Sequence, residues 1–232
     1  MKYLIPPSEG KAKIKGSGIK FKDTDFIYKK SVKEIVTLLE LIDDEDLTSI
    51  YGTSQEKSEL FHRQNEDVFN SSCAHAIERY TGIVYQNLDW QSFSDDQKEF
   101  MDKHFYIFSG LFGMVTPLTL IPNYKLKMNV LSLEHHWKDT LTKTLQDEDL
   151  VIDLLPQVHR KAYIPKDNVK KIDFIVIKKG KKSAAGHFGK AVKGQLIKYI
   201  VMNQITSIDQ FDQFDFDGFQ WDGEVFIKEH SS

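Results

Sequence analysis

The chain has 232 residues, of which 41% are hydrophobic and 28% are charged, and its formal net charge is −3. This length and apolar content are ample for a sizeable hydrophobic core, and we expect one domain over residues 1–232. No stretch approaches the roughly 18 uncharged apolar residues of a membrane span, and residues 1–7 are too short for a signal peptide. The single cysteine, Cys73, excludes an internal disulfide and a cysteine-based zinc site. We therefore expect a cytoplasmic protein.

The charges are distributed unevenly along the chain. Residues 11–30 carry seven lysines and two acids, and residues 166–198 carry ten lysines and two acids. Residues 207–224 carry six acids and no base. Segregated charge indicates an anionic partner for one face, the alternative being ordinary solvated surface. The stretch 211–221, in which acids alternate with aromatic residues, either docks a basic partner or folds back on the chain's own lysines. We favour the second interpretation.

The first predicted element is a buried strand at residues 2–5, which the prolines of a rigid turn at 6–11 end. Ser8, Glu9 and Lys11 then lie just past the carboxyl end of that strand, where functional groups are common in α/β folds. Lys13 belongs to the flexible basic loop that follows, which lacks the glycine spacing of a P-loop. Helices are predicted over 31–42, with Ser31 as its cap, and over 53–69 and 74–80; a strand is predicted at 82–85.

Residues 105–128 form the most apolar and aromatic stretch, yet glycines and prolines interrupt it. This pattern predicts the end of a helix capped at Ser94, a tight turn at 109–113 and a buried extended segment. The turn contains Gly110 and Gly113, and the segment delivers three side chains to a surface: Tyr124, Lys125 and Lys127. Two interpretations of the turn compete. It is either a connection that crosses the core or a glycine turn whose backbone N–H groups face a phosphate.

The second half of the chain begins with an amphipathic helix predicted over residues 133–145. Strands at 150–155 and 172–177 are nearly continuous apolar runs, typical of strands buried on both faces. Asp153 lies inside one of these runs and needs a partner there. A helix opens at His187, on which Lys190 and Lys193 share a face and Lys198 lies further round. A last strand is predicted at 223–228, so strands and helices interleave and predict an α/β or α+β fold with mixed strand directions.

Landmarks spread in order along the chain include Pro6–Lys11, Ser109–Gly113, Tyr124–Met128, Phe188 with Lys190, Lys193 and Gly194, and Phe216–Phe219. Taken together they resemble the YaaA family of bacterial proteins linked to resistance against peroxide stress. The resemblance implies a cytosolic, single-domain mixed α/β protein with a fold described as cantaloupe-like. It also implies a helix-hairpin-helix element, a positively charged cleft and DNA binding. The implied role is to limit oxidative DNA damage and intracellular iron during peroxide stress.

The first functional hypothesis is a DNA-binding protective protein rather than an enzyme. Phosphates would be contacted by lysines from distant parts of the chain and by the N–H groups of the glycine turn. The residues expected to bind phosphate are Lys11, Lys13, Gly110, Gly113, Lys125, Lys127, Lys190, Lys193 and Lys198. Because lysine is a point charge, this hypothesis predicts little sequence preference and steep salt dependence.

The second hypothesis is an enzyme that acts on a nucleotide or another small phosphate-bearing substrate in the same cleft. Its pocket would contain Ser8, Glu9, Tyr124 and Asp153, with Glu9 or Asp153 as acid or base. No motif specifies the reaction. The sequence indicates no cofactor and no metal, since the pairs His62–Glu66 and His135–Asp139 lack a third ligand. It leaves the oligomeric state open.

Overall fold

The structure is a computed structural model that describes residues 1–186 and 188–230, so the helix start predicted at His187 lies outside the described residues. Its helices are α1 Lys29–Leu39, α2 Leu47–Tyr51, α3 Gln55–Glu66, α4 Ala76–Arg79, α5 Ile83–Leu88, α6 Asp95–His104, α7 Leu133–Gln146, α8 Gln157–Arg160 and α9 Phe188–Met202. Its strands are β1 Lys2–Ile5, β2 Ala74–His75, β3 Phe105–Ser109, β4 Gly113–Val115, β5 Leu120–Ile121, β6 Val151–Asp153, β7 Val169–Lys171, β8 Phe174–Lys178, β9 Lys181–Ala184, β10 Gln220–Trp221 and β11 Phe226–His230.

The central sheet has five strands in the order β4-β3-β1-β6-β7. β1 pairs in parallel with both β3 and β6, β6 pairs in parallel with β7, and β4 alone is antiparallel. The chain therefore crosses from β3 on one side of β1 to β6 on the other. In open α/β sheets such a switch in direction leaves a crevice beyond the carboxyl ends of the strands. The segments that follow β1, β3 and β6 all leave the sheet at this edge.

The second sheet has the order β10-β11-β8-β9, in which β8 and β11 are parallel and a hairpin joins β8 to the antiparallel β9. The acidic and aromatic stretch folds back on the protein, with Phe211, Phe214 and Phe219 buried. Its ion pair among the described residues joins Asp217 to Lys228 of β11, which lies outside the lysine-rich residues 166–198. A separate two-stranded ladder joins β2 to β5. Two mixed sheets and interleaved helices confirm the predicted α/β or α+β class.

The core of the central sheet is rich in aromatic side chains. The largest fully buried side chains include Trp137 of α7, Tyr3 of β1, and Phe105 and Phe108 of β3. The rings of Tyr3 and Phe105 stack at 4.7 Å across neighbouring strands. None of the helices within residues 1–186 and 188–230 combines the length and apolar character needed to cross a membrane.

The turn predicted at residues 109–113 is present, but it joins two strands. The chain leaves α6 at His104 and continues as β3, and Ser109 then pairs with Gly113 in a β-hairpin. Gly113 has a φ of +69°, and a Cβ there would lie 2.7 Å from the Trp137 ring. Backbone conformation and close approach therefore both require glycine at this position. A turn between strands has no helix N-terminus behind it, so the helix-hairpin-helix comparison is wrong for this turn.

Two further predictions are wrong in detail, the first because a short apolar run does not distinguish a strand from a helix and the second in the extent of burial. Residues 82–85 belong mostly to helix α5, whose buried side chains pack against α9. Gly194 permits that packing, since a Cβ there would lie 2.4 Å from the carbonyl oxygen of Val84. Strand β8 is only partly buried rather than covered on both faces.

The helix caps were predicted with mixed success. The capping box of Ser94 and Gln97 is confirmed at the start of α6, since each side chain bonds to the other residue's backbone N–H. Helix α1 begins at Lys29 rather than after Ser31, so Ser31 lies inside the helix and caps nothing. The aromatic residues that precede Ser31 pack against the core and extend this helix toward its N-terminus.

Candidate functional site

A cavity of about 110 Å³ opens beyond the carboxyl ends of β1 and β3, and we call it the Lys11 cleft. Its walls come from the turn after β1, the extended segment after the β3–β4 hairpin, and helix α8. The residues that line it are Pro7, Ser8, Glu9, Lys11, Gly110, Tyr124, Lys125, Leu126, Lys127, Met128, Asn129, Val158 and His159. Three lysines and one carboxylate therefore face a single small space. This excess of positive charge favours an anionic ligand.

Lys11 is held in place through both its backbone and its side chain. Its backbone forms a bridge with Tyr80, and its Nζ lies 4.0 Å from the ring centroid of Tyr124 and 5.4 Å from that of Tyr80. The two tyrosine hydroxyls are 2.9 Å apart, and Nζ donates to the carbonyl oxygen of Ser8 at 3.3 Å. Burial, with the nearby charge of Lys125, lowers the pKa of Lys11 to about 7. A substantial fraction of this amine is uncharged at neutral pH.

Glu9 sits between the other two lysines of the cleft. Its carboxylate lies 3.6 Å from Lys125 Nζ and 3.2 Å from Lys127 Nζ. Burial alone would raise the pKa of Glu9, but the hydrogen bonds and charges of Lys127 and Lys125 outweigh it and lower that pKa. Glu9 is therefore ionised at neutral pH. An ionised carboxylate cannot donate a proton, so Glu9 fits a partner of lysines better than a general acid.

Asn65 of helix α3 positions the segment that carries these lysines. Its Oδ1 accepts the backbone N–H of Lys125 at 3.0 Å, and its Nδ2 donates to the carbonyl oxygen of Lys125 at 2.7 Å. Asn65 is fully buried, and the hydroxyl of Tyr51 is 3.1 Å from its Nδ2. His62 contacts the same hydroxyl through Nδ1 and Glu66 through Nε2. The His62–Glu66 pair therefore supports this buried network.

The glycine turn at residues 109–113 forms part of the cleft wall. Gly110 lines the cavity, and a Cβ there would lie 2.7 Å from both the carbonyl oxygen of Leu126 and the carbonyl carbon of Lys127. The N–H of Phe112 donates to Ser109 Oγ at 2.9 Å, and that hydroxyl donates to Tyr124 at 2.8 Å. The turn thus orients the Tyr124 ring beneath Lys11. These contacts favour the interpretation of the turn as a connection that crosses the core.

Helix α8 contributes a histidine that the sequence analysis did not single out. His159 lines the cleft, and its buried Nδ1 has no hydrogen-bond partner among the described residues. Burial, with the charge of Lys193, lowers the pKa of His159 to about 4. Lys193 itself donates to the carbonyl oxygen of Leu154, and burial with the charge of Arg160 lowers its pKa to about 8. Helix α9 therefore approaches the cleft through Lys193.

Asp153 does not line the cleft. Its carboxylate accepts from Arg160 Nε at 3.1 Å, from the Tyr163 hydroxyl at 2.6 Å and from the backbone N–H of Leu155 at 2.7 Å. Burial raises the pKa of Asp153, and these three partners oppose that rise. The structure thus gives Asp153 the role of a buried ion pair that joins β6 to α8.

The remaining predicted lysines lie apart from the cavity. Lys13 and Lys190 are exposed, and Lys198 forms an ion pair with Asp89 at 2.8 Å. Gly113 packs on Trp137 instead of facing the cavity. Within residues 1–186 and 188–230 no group of three or more His, Cys, Asp or Glu side chains is placed to hold a metal ion.

Three side chains that line or support the Lys11 cleft escaped the sequence analysis: Asn65, Tyr80 and His159. Asn65 and His159 carry no signal in one sequence, because polar residues on helices are ordinarily exposed. Tyr80 was assigned to a helix that in the structure ends at Arg79, and its place beside Lys11 depends on a long-range bridge. Each of these roles arises from tertiary contacts.

Fold and site together define a mixed α/β protein with a small cavity, lined by three lysines and one carboxylate, beyond the carboxyl ends of its central parallel strands. The chain belongs to the family described as peroxide stress protein YaaA, whose family model matches residues 1–225. The family resemblance inferred from the sequence is thereby confirmed.

Curated relatives agree with this membership. A UPF0246 protein of Colwellia psychrerythraea is 32% identical over 213 residues, which cover 85% of this chain and 80% of the relative. A UPF0246 protein of Finegoldia magna is 26% identical over 231 residues, which cover 95% and 92% of the two chains. A third, from Streptococcus agalactiae serotype V, is 26% identical over 203 residues, covering 83% and 84%.

Proposed function

We propose that this protein acts in the cytoplasm during peroxide stress by binding DNA through the Lys11 cleft, and that it thereby limits iron-linked oxidative damage. Membership of the peroxide stress family supports the general role. The observation that carries the DNA proposal is the convergence of Lys11, Lys125 and Lys127 on one cavity that contains a single carboxylate. The link to iron rests on the family resemblance.

In this proposal a backbone phosphate enters the cleft and competes with Glu9 for the ammonium groups of Lys125 and Lys127. Those ion pairs span 3.2–3.6 Å, and the Glu9 side chain is largely exposed, so it can swing away at little cost. The exposed Lys190 of α9, whose charge acts on the buried Lys193, supplies a second contact outside the cleft. Lysine contacts of this kind position a duplex without reading its bases, so binding is insensitive to sequence.

The test is the salt dependence of DNA affinity, measured by filter binding for the native chain and two variants. Each lysine that neutralises a phosphate adds about one unit to the slope of log affinity against log salt. We expect Lys125→Ala and Lys127→Ala each to weaken binding and to lower the slope by about one unit. Lys103→Ala is the matched control, because Lys103 is exposed at the opposite edge of the central sheet. Unchanged slopes for both cleft variants would contradict the proposal.

A second candidate function is supported by the size of the cavity. A space of about 110 Å³ holds a group as small as one phosphate, which suits a nucleotide or another small phosphate-bearing molecule. An enzyme acting on such a ligand would use the same lysines. A thermal-shift panel separates the candidates, since a small phosphate compound that raises the melting temperature without DNA favours the second.

A further inference from the structure

Lys11 differs from the other two lysines of the cleft in its partners. Lys125 and Lys127 each lie within 4 Å of the Glu9 carboxylate, whereas no carboxylate among the described residues lies within 4 Å of Lys11 Nζ. The polar contact of Nζ is the carbonyl oxygen of Ser8, at 3.3 Å. Its other neighbours are the rings of Tyr80 and Tyr124. This is an amine placed in an apolar and cationic surrounding.

An amine in such a surrounding is a nucleophile, because desolvation and a neighbouring cation both favour its uncharged form. Every charged group near Lys11 contributes to this balance: Lys125 and Arg79 lower its pKa, and Glu9 raises it. The result, a pKa of about 7, leaves about half of the amine free at neutral pH. An ordinary lysine with a pKa of 10.5 is free to roughly one part in three thousand under the same conditions.

The cavity also contains what a covalent step at Lys11 requires. Lys125 and Lys127 are placed to hold a phosphate beside Nζ. The imidazole of His159 lines the cavity from α8 and is uncharged at neutral pH, since its pKa is lowered to about 4. A base this weak does not take the proton of the attacking amine, which passes from Nζ to the carbonyl oxygen, and His159 adds no further positive charge to the cavity.

We propose that Lys11 forms an imine with the aldehyde of a phosphate-bearing ligand held in the Lys11 cleft, an activity that rests on the proposed binding of phosphate by Lys125 and Lys127. The lone pair of Nζ attacks the carbonyl carbon, a C–N bond forms, and the oxygen takes up a proton to give a carbinolamine. Loss of water then forms the C=N bond. The sum is amine plus aldehyde giving imine plus water, with no oxidation or reduction.

Two sources of this chemistry exist, a free aldehyde phosphate and an abasic site in DNA, whose ring-opened sugar is an aldehyde flanked by phosphates. In the first arm the full chain is incubated at neutral pH with glycolaldehyde phosphate and cyanoborohydride, and the adduct is located by peptide mass mapping. In the second arm a duplex with one abasic site is trapped with borohydride and the covalent complex is resolved on a gel. Trapping in one arm alone identifies the source.

We expect one saturable adduct, on Lys11, whose formation inorganic phosphate suppresses and which forms about ten-fold faster than with glycolaldehyde lacking the phosphate. Lys11→Met should abolish it, and Lys15→Met, an exposed lysine of the neighbouring loop, should retain it. Melting curves of both variants establish that they are folded. The pH at which the rate is half-maximal should lie near 7, and Lys125→Met should raise it, because the neighbouring cation is removed.

Imine formation at Lys11 would be contradicted if adducts were spread over the surface lysines. It would also be contradicted if the Lys11→Met variant reacted as the native chain does. DNA binding is measured in parallel by filter binding. Binding that depends on Lys125 and Lys127 without any adduct on Lys11 would overturn the imine and leave the proposed function standing. Loss of both would overturn the proposed function as well.

Discussion

The contact between Asn65 and Lys125 gives a sharp prediction about how the cleft is held together. Asn65→Ala removes the acceptor of the Lys125 N–H at 3.0 Å and the donor to its carbonyl at 2.7 Å. Leaving a buried backbone group without a partner costs about 1–3 kcal/mol, so two such groups at a partly buried position cost about 2–4 kcal/mol. For a protein of this size each kcal/mol lowers the melting temperature by about 2–4 °C, which gives a fall of roughly 5–15 °C.

The same variant should weaken DNA binding at temperatures where it is fully folded, because Lys125 and Lys127 lose their fixed positions. Asn203→Ala is the matched control: its side chain is exposed and, among the described residues, bonds only to the carbonyl oxygen of Tyr199, one helical turn earlier. We expect that control to melt within about 2 °C of the native chain, as surface substitutions usually do. Differential scanning calorimetry and filter binding are the assays. If Asn65→Ala has the same melting temperature as Asn203→Ala and binds DNA normally, the claim that Asn65 holds the Lys125 backbone in place is refuted.

Three other predictions concern the stability of the cleft and of the core around it. Because the folded pKa of Lys11 is about 7 and its ordinary pKa is 10.5, the unfolded chain binds more protons between those values. Lys11→Met should therefore be more stable than the native chain at pH 7 in urea titrations, with an advantage that shrinks toward pH 10; a constant difference would contradict the shifted pKa. Asp153→Ala should lose about 2–4 kcal/mol in urea unfolding, because it leaves the Tyr163 hydroxyl and the Leu155 N–H without their acceptor and Arg160 with the exposed Asp173 as its ion-pair partner. A loss below about 1 kcal/mol would make the Asp153 contacts dispensable. Gly113→Ala should melt well below Gly223→Ala: both positions have positive φ, but only at Gly113 does the new Cβ collide with Trp137. Equal melting temperatures for the two variants would show that contact with Trp137 does not destabilise Gly113→Ala.

The elements predicted with most success are those whose signals are local and long. Helix α7 repeats its apolar residues every four positions, and Ser94 forms a capping box with Gln97 at the start of α6. Both features could therefore be predicted from the sequence. The strand β3 was missed because Phe105–Phe108 precede a glycine turn and follow a helix without a break. An apolar run of this length fits either structure until its partners in the sheet are known.

In the candidate site, too, residues with a local sequence signal were predicted, and features that depend on tertiary contacts were not. The turn after β1 was predicted to carry Ser8, Glu9 and Lys11, because polar groups past a buried strand commonly lie at the functional edge of a sheet. The perturbed state of Lys11 could not be predicted, since it depends on two rings from distant segments. Lys198 has a contact that the sequence could not show. Its place in a basic stretch suggested a phosphate contact, whereas the fold pairs it with Asp89.

The most direct test of the central claim is a titration of the isotopically labelled protein with a short DNA duplex, followed by amide chemical shifts. The Lys11 cleft predicts saturable shifts concentrated at residues 8–11, 124–129 and 158–159, which fade as salt is added. Shifts confined to the exposed lysines of β7 and β9, with those three segments unmoved, would contradict it.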